Sequence, residues 1–337
     1  MPVLDSRCCG LDVHTETVVA CRLLTFPNGR IDTHIRTFST MTRGLLELKQ
    51  WLQEEQVSQV AMESTGVFWG PVFKVLAGQG EILVVKAQPA KQVPGRKTDA
   101  KDSEWRADLW RHGLLQASFM PPKAIRELRD LMRARSNLVQ ERARQIKRVQ
   151  KVLEAAHIKL ASVVTEILGK SSRQMIEALL EGQTDPIALA QLARSRLRSK
   201  IGQLSLALEG HLDDHHILLL RQLLAHRDLL NAQMAELEQA VETRLPPFQA
   251  RLNLLVTLPA ISRTSASMML SEIGETMALF PTAAHLASWA GVCPGNAISA
   301  GKRTSGKPTK GHKADRAVLC ELAWVISPMS SNSLSAQ

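Results

Sequence analysis

The stretch RCCGLDVHTETVVACRLLTF, residues 7–26, decides the fold of the N-terminal part of the chain. It is apolar and rich in residues that favour strands, and a polar interruption at 12–17 divides it. This pattern is typical of two short strands joined by a turn. The sequence Pro27-Asn28-Gly29 is a strong turn signal, so we expect the next strand at 30–38.

After this stretch, predicted strands and helices alternate along the chain up to Pro121-Pro122. Apolar residues at helical spacing predict helices at 44–53, after Ser64-Thr65-Gly66, and from Thr98 to His112. Short apolar runs predict strands at 59–62 and 81–86. The alternation predicts an α/β domain with a mixed sheet over residues 1–120.

The rest of the chain is predicted to be mainly helical. Residues 124–156 contain no Gly or Pro and repeat apolar residues about every 3.5 positions, which indicates a long coiled-coil-like helix. A second long helix is predicted at 213–244. We expect a helical arm over 121–247, for which plain bundle packing is a compatible alternative. A small C-terminal domain with two short helices joined by a tight turn then covers 248–326, and 327–337 forms an unstructured tail.

Positive charge is concentrated in two places, although the whole chain of 337 residues carries only +10. Residues 123–159 hold eleven Lys/Arg against four Asp/Glu, a net +7, and residues 291–316 hold six against one, a net +5. Such clustering is expected for a protein that binds a phosphate backbone. A solvated basic helix face is the alternative, but two basic stretches favour nucleic acid.

Several other classes of protein are not favoured. No segment approaches the ~18 uninterrupted apolar residues of a membrane span, and no secretory signal pattern is visible at the start. The five cysteines form no zinc-binding pattern, and Cys8 and Cys9 are predicted to be small core residues. A reduced cytoplasmic location is therefore expected.

Four carboxylates stand at positions that suit a divalent metal site. Asp12 and Glu63 each end an apolar strand, and Asp99 and Asp102 lie three apart at a helix start, on one helix face. Clustered carboxylates repel unless cations lie among them, and hard oxygen ligands suit Mg²⁺ or Mn²⁺. Two ions would clamp the attacking and leaving oxygens of a phosphoryl transfer. From spacing alone, each acid is also compatible with a helix cap or a surface position.

A second candidate site lies in the segment CPGNAISAGKRTSGKPTKGHKADR, residues 293–316, of which 296–316 is predicted to be a mobile basic loop. Ser299 lies in this loop and is followed by Ala300-Gly301 and then by several cations. A serine in this setting is able to attack a phosphodiester while the cations stabilise the transition state. On composition alone Ser305 is an equal candidate, and no His/Asp partner for an acyl-transfer triad is evident.

Three strings carry a resemblance to a known family: GLDVH (10–14), MESTGVFW (62–69) and GRKTDAKDSEWRADLWRHGLL (95–115). They resemble the signature of the DEDD transposases of the insertion sequence 110 kind, which include the Piv-type DNA invertases. The likeness continues through HIKLASVVTEILGKSSRQMIEALLEG (157–182) to about residue 326. It implies an N-terminal domain similar to the Holliday-junction resolvase RuvC, with a ribonuclease-H-like fold.

The resemblance implies roles for both candidate sites. Asp12, Glu63, Asp99 and Asp102 match the family's metal-binding set, and Ser299 matches its nucleophilic serine. The implied function is that of a transposase or site-specific recombinase that cuts and rejoins donor and target DNA. The resemblance also implies a structured guide RNA, an assembly of two or four copies of the chain, and a location near the nucleoid. The alternatives are a RuvC-like junction nuclease that uses water, and a non-catalytic nucleic-acid-binding remnant of a transposase.

Basic residues of both charged stretches are candidates for nucleic acid contacts: Arg126, Arg129, Arg133, Lys147, Arg148, Lys151, Lys302, Arg303, Lys307 and Lys310. Residues 259–262 are similar to a helix-hairpin-helix turn, although Ala260 and Ser262 stand where the family usually has glycine. The resemblance also implies further helices beyond Glu321–Trp324, where this chain has a Ser-rich tail. We therefore expect a shortened C-terminal domain with weakened or lost turnover.

Overall fold

The computed structural model describes residues 6–64, 66–85, 99–115, 120–278, 280–293, 297–299, 302–305, 311 and 313–326. The chain divides into two compact units, residues 1–120 and 121–337. The predicted tail at 327–337 lies outside the described residues. The further division of the second unit at residue 247 stays a prediction.

The first unit is built on a five-stranded mixed sheet. Its strands are β1 Arg7–Val13, β2 Thr17–Thr25, β3 Ile31–Ser39, β4 Gln59–Glu63 and β5 Glu81–Val85, and its helices are α1 Thr42–Glu54, α2 Trp69–Leu76 and α3 Asp99–Arg111. The strand order is β3-β2-β1-β4-β5. The first three strands pair antiparallel through tight turns, whereas β1, β4 and β5 are parallel, because helical crossovers connect them. The predicted α/β domain with a mixed sheet is confirmed, and its strand order is that of a ribonuclease-H-like sheet.

The two faces of this sheet bury different residues. Helices α1 and α2 cover one face, where the main core contains Leu11, Leu48 and Met62. Helix α3 covers the other face, with Cys8 and Cys21 in a smaller cluster. Cys8 and Cys9 are fully buried, as the sequence predicts. Burial raises the pKa of the Cys9 thiol, and it raises the pKa of Cys21 to about 12, so both thiols stay protonated.

The second unit is mainly helical. Its helices are α4 Lys123–Ala155, α5 Leu160–Val163, α6 Lys170–Leu180, α7 Pro186–Ala190, α8 Ile201–Ala207, α9 Asp214–Glu242, α10 Gln249–Val256, α11 Arg263–Ile273, α12 Ala283–Ala290 and α13 Lys313–Ile326, with 3-10 turns at Ser195–Lys200 and Pro246–Phe248. Both long helices of the predicted arm are therefore present, with ends one or two residues from the expected positions.

Helices α4 and α9 run antiparallel and connect two separate hydrophobic cores. Arg135, early in α4, pairs with Glu238, late in α9, whereas Val149, late in α4, shares a core with Leu220, early in α9. The two helices therefore run in opposite directions. One core gathers residues 149–224 around the end of α4, and the other gathers the start of α4 with residues 241–322. With 33 residues, α4 is about 50 Å long, so it reaches from one core to the other.

The tight turn between α10 and α11 is present, as the sequence predicts. Ser262 caps α11, and its hydroxyl accepts a hydrogen bond from the Ser265 backbone N–H at 3.1 Å. Ala260 has a φ of 65°, in the left-handed region that glycine adopts without a steric penalty. The turn therefore forms with alanine at the strained position.

The segment 296–316 differs from its prediction as a loop. Within its described residues, β6 (Ala297–Ser299) pairs antiparallel with β7 (Lys302–Ser305), and Ser299 lies opposite Lys302. The Gly, Ser and Lys composition suggested a loop, but it is equally compatible with a short hairpin, whose strands need few apolar residues when they are not in a core. In the described part of the chain, no helix combines the length and hydropathy of a membrane span.

Candidate metal centre and nucleic-acid surface

Two of the predicted carboxylates meet at one edge of the first unit's sheet. Asp12 is the penultimate residue of β1, and Glu63 is the last residue of β4. These strands are parallel, and Leu11 lies opposite Met62, so the next position along each strand brings Asp12 beside Glu63. Because parallel strands end at the same edge, the sheet itself positions this pair.

Helix α3 packs on the face of the sheet that carries the two carboxylates, and its backbone lies very close to β1. Ser103 and Ala107 of α3 are fully buried. A Cβ atom at Gly10 would lie 2.0 Å from the Ser103 carbonyl oxygen and 2.6 Å from the Ala107 nitrogen. Gly10, two residues before Asp12 and on the same face of β1, therefore allows the helix backbone to touch the strand.

This close approach brings a guanidinium group between the two acids. The Arg106 side chain, on α3, forms an ion pair with Asp12 at 2.9 Å from Nη1 to Oδ1. Its Nη2 donates a hydrogen bond to Glu63 Oε2 at 2.6 Å. The side chains are 13% exposed for Arg106, 10% for Asp12 and 24% for Glu63, so water screens the contacts only partly. One monovalent cation thus bridges carboxylates from two strands.

His14 contacts the other oxygen of Asp12. Its Nε2 lies 3.1 Å from Asp12 Oδ2, and its ring is 44% exposed. Residues 12 and 14 share a face because side chains alternate along a strand. Both carboxylate oxygens of Asp12 consequently have a nitrogen partner.

The other two predicted ligands begin the same helix. Asp99 is the first residue of α3, and its side chain lies outside the described part of the structure. Asp102 is half-buried and precedes Arg106 by four residues, so the two share a helix face. Among the described side chains, Asp12, Glu63 and Asp102 do not form a group whose ligand atoms all lie within 4.8 Å of one another. The structure brings two of the four acids together and places a third on the neighbouring helix.

Within the described residues, the group that meets this distance is Asp213, His215 and His216. The two histidine rings lie against each other, with centroids 3.8 Å apart and planes tilted by 39°. His216 Nδ1 accepts a hydrogen bond from the Asp213 backbone N–H at 3.3 Å as part of a capping box at the start of α9. That bond occupies the Nδ1 lone pair of His216. Asp213 and His216 therefore act as the N-terminal cap of α9.

Two of the predicted nucleic-acid contacts are engaged inside the protein. Arg133 binds the fully buried Glu272 with both ends of its fork, at 2.6 Å and 2.8 Å. Arg129 lies 3.1 Å from the same carboxylate and donates to the backbone carbonyls of Ser271 and Glu272. The positive charge of these arginines therefore balances a buried acid at the end of α11.

The other basic candidates have different surroundings. Lys147, Arg148 and Lys151 are exposed on consecutive turns of α4, and Arg126 is half-buried. Lys302 and Arg303 lie in β7, but their side chains are outside the described part of the structure, and so is the side chain of Ser299. Lys307 and Lys310 lie wholly outside the described part. Of the predicted contacts whose side chains the structure describes, the exposed ones are therefore Lys147, Arg148 and Lys151 on α4, together with the partly exposed Arg133 of the Glu272 pair.

Two family models match the chain at its two ends. The model of the DEDD transposase family of IS110, described as a transposase, matches residues 9–158. The model described as the transposase IS116/IS110/IS902 family matches residues 252–337. The chain belongs to the IS110 transposase family. The carboxylate edge lies within the first matched region and the β6–β7 hairpin within the second.

One curated relative is an insertion element protein. The chain is 29% identical over 223 residues to the "Insertion element IS110 uncharacterized 43.6 kDa protein" of Streptomyces coelicolor, with 60% of this chain and 53% of that protein covered. The chain thus spans about half the length of this curated relative. A Thermus thermophilus RuvC structure aligns with 33% of this chain and 99% of its own, at 10% identity and a TM-score of 0.25. The fold assignment rests on the strand order and directions described above.

The sequence prediction missed three residues of this site, although signals for them were present. Arg106 follows Asp102 by one helical turn, and His14 follows Asp12 by the strand period. Gly10 in the middle of an apolar strand is a signal of close backbone approach. Each signal becomes decisive only when the sheet register is known.

Proposed function

We propose that this member of the family is a DNA transposase that performs phosphoryl transfer with Mg²⁺ or Mn²⁺ held by Asp12, Glu63, Asp99 and Asp102. The pairing of Asp12 with Glu63 around one shared cation carries the proposal. Two carboxylates side by side in a partly buried edge repel each other, and both stay ionised only when positive charge lies near them. The sheet register and the packing of α3 on Gly10 provide that arrangement.

The residues present fit a divalent ion. The carboxylates of Asp12 and Glu63 are hard oxygen donors that already converge on one positively charged group. Asp102 lies one helical turn before Arg106 on the same face of α3, and we propose it as a further oxygen ligand. When bound, divalent ions would supply charge stabilisation for the phosphate undergoing transfer.

We further propose that Ser299 supplies the nucleophile. Its hydroxyl oxygen would form a bond to the scissile phosphorus, the bond from phosphorus to the DNA leaving oxygen would break, and the serine proton would pass to that oxygen. The resulting phosphoserine ester keeps the bond energy for rejoining. Support comes from the family match over 252–337 and from the Lys and Arg residues that follow Ser299 in the hairpin.

The proposed partners are donor and target DNA, a structured guide RNA, and further copies of this chain in a dimer or tetramer. Because these partners include chromosomal DNA, we also propose a cytoplasmic location near the nucleoid. Lys147, Arg148 and Lys151 are exposed on one stretch of α4, which suits contacts to a phosphate backbone. Arg126 and the basic residues of 302–310 stay proposed contacts. Arg129 and Arg133 bind Glu272, so only those of their N–H groups that do not contact Glu272 are proposed to contact a phosphate.

The experiment compares variants on DNA that carries the ends of the parent element, with the flanking transcript present. We expect Asp12→Asn to lower the rate of metal-dependent cleavage by about a thousandfold, equivalent to about 4 kcal/mol of transition-state stabilisation. The matched control is Asp32→Asn, which removes a carboxylate of the same sheet that pairs with Arg22 at 2.8 Å, and which should keep activity. Wild-type protein without any metal-dependent cleavage would contradict the proposal and favour a non-catalytic remnant.

The role of Ser299 is tested in the same assay by trapping the covalent product. We expect Ser299→Ala to abolish both the protein–DNA adduct and strand joining, whereas Ser305→Ala keeps them. Cleavage that persists undiminished in Ser299→Ala would contradict the serine mechanism. It would instead favour a junction nuclease in which water attacks the phosphate.

A further inference from the structure

The Arg106 guanidinium lies between the two carboxylates that are proposed to bind the metal ion. Its two terminal nitrogens contact acids on different strands, Asp12 at 2.9 Å and Glu63 at 2.6 Å. A guanidinium group stays protonated at every physiological pH, so the group cannot release the acids by losing its proton. It releases them only by moving.

A divalent ion and this guanidinium compete for the same oxygens. Mg²⁺ binds carboxylate oxygens directly at about 2.1 Å, so it must replace N–H donors there. Arg106 faces Oδ1 of Asp12, and His14 faces Oδ2. A doubly charged ion would also repel a guanidinium held within hydrogen-bond distance of the same carboxylate.

We propose that Arg106 is a built-in counter-cation, which neutralises the Asp12–Glu63 pair before metal binds and is displaced from it when the ion enters. The inference rests on the proposed function, because it assumes that these acids hold the metal. Without a cation, the two partly buried carboxylates would repel each other and would weaken the edge of the sheet.

The packing of α3 indicates which part moves. Ser103 and Ala107 are fully buried, and the helix backbone is in contact with Gly10, so the helix is fixed on the sheet. Displacement therefore takes place by rotation of the Arg106 side chain.

The test measures Mn²⁺ binding by the full chain with calorimetry, and thermal unfolding with and without Mn²⁺. We expect Arg106→Gln to bind Mn²⁺ about tenfold more tightly than the wild type, because no guanidinium has to be displaced. The metal-free variant should unfold at a lower temperature than the wild type, and Mn²⁺ should raise its unfolding temperature by more than it raises that of the wild type.

Arg111→Gln is the matched control. Arg111 lies on the same helix, is 10% exposed, and pairs with Asp108 at 2.6 Å away from the carboxylate edge. We expect this variant to lose stability without any change in Mn²⁺ affinity. Arg106→Lys is the second variant if Arg106→Gln does not fold. A single ammonium cannot bridge both acids as a fork does, so its Mn²⁺ affinity should also rise, by a smaller factor.

The outcomes separate this inference from the proposed function. Unchanged or weaker Mn²⁺ binding in the Arg106 variants, with normal binding by the wild type that Asp12→Asn removes, would overturn the counter-cation role and leave the metal site standing. Mn²⁺ binding by Arg106→Gln but not by the wild type would support it. Absence of Mn²⁺ binding in every variant would overturn both.

Discussion

Replacement of Gly10 by alanine is expected to lower the free energy of unfolding of the first unit by about 3 kcal/mol. The added Cβ would lie 2.0 Å from the Ser103 carbonyl oxygen and 2.6 Å from the Ala107 nitrogen. Both are backbone atoms of α3, so no side-chain rotation relieves the overlap, and the helix must move away from β1. Denaturant unfolding followed by tryptophan fluorescence measures the loss.

The same substitution should also disturb the carboxylate edge, because the position of α3 sets that of Arg106. Gly70→Ala is the matched control: this glycine lies in α2 of the same unit, and a Cβ there meets no atom within 4 Å. Alanine at Gly70 should leave stability equal or raise it by up to about 1 kcal/mol. Equal unfolding midpoints for Gly10→Ala and the wild type would contradict the close packing of α3 on β1.

Glu272→Ala is expected to destabilise the second unit by about 3 kcal/mol. The carboxylate is fully buried and binds Arg129 and Arg133, whose side chains are 17% and 45% exposed. Its removal would leave the less exposed Arg129 charge without its acid partner, whereas the more exposed Arg133 would recover part of the loss by hydration. Urea unfolding monitored by circular dichroism measures the change.

Glu238→Ala provides the control for this pair. Glu238 also pairs with an arginine of α4, Arg135, at 2.7 Å, but its side chain is 50% exposed. Its loss should cost less than about 1 kcal/mol, because solvent screens exposed ion pairs. Comparable losses for the two variants would show that burial does not strengthen the Glu272 contacts, which would contradict a structural role for Arg129 and Arg133.

The sheet and the two long helices were predictable because their signals are local. The interrupted apolar run of 7–26 and the apolar repeat of 124–156 act over a few residues, and the elements formed within one or two positions of their predicted ends. Local patterns were sufficient for these features. The sequence also indicated that Asp12 and Glu63 end apolar strands, but their pairing depends on the order of the strands in the sheet.

The missing features depend on contacts between distant residues. The large apolar residues at helical spacing in α3 are Trp105, Leu109 and Trp110. The fully buried residues are instead the small Ser103 and Ala107, because the helix approaches β1 too closely for large side chains. Arg129 and Arg133 read as part of a basic surface, and their partner Glu272 lies about 140 residues further along the chain. Charge counts do not distinguish an arginine that binds DNA from one that neutralises a buried acid.

The most direct test of the proposed metal centre is anomalous X-ray diffraction from crystals of the full chain grown with Mn²⁺. We predict an anomalous peak between the carboxylates of Asp12 and Glu63, with the Arg106 guanidinium turned away from both. A peak at Asp213, His215 and His216 with none at the sheet edge, or no peak at all, would contradict the metal centre and with it the proposed phosphoryl transfer.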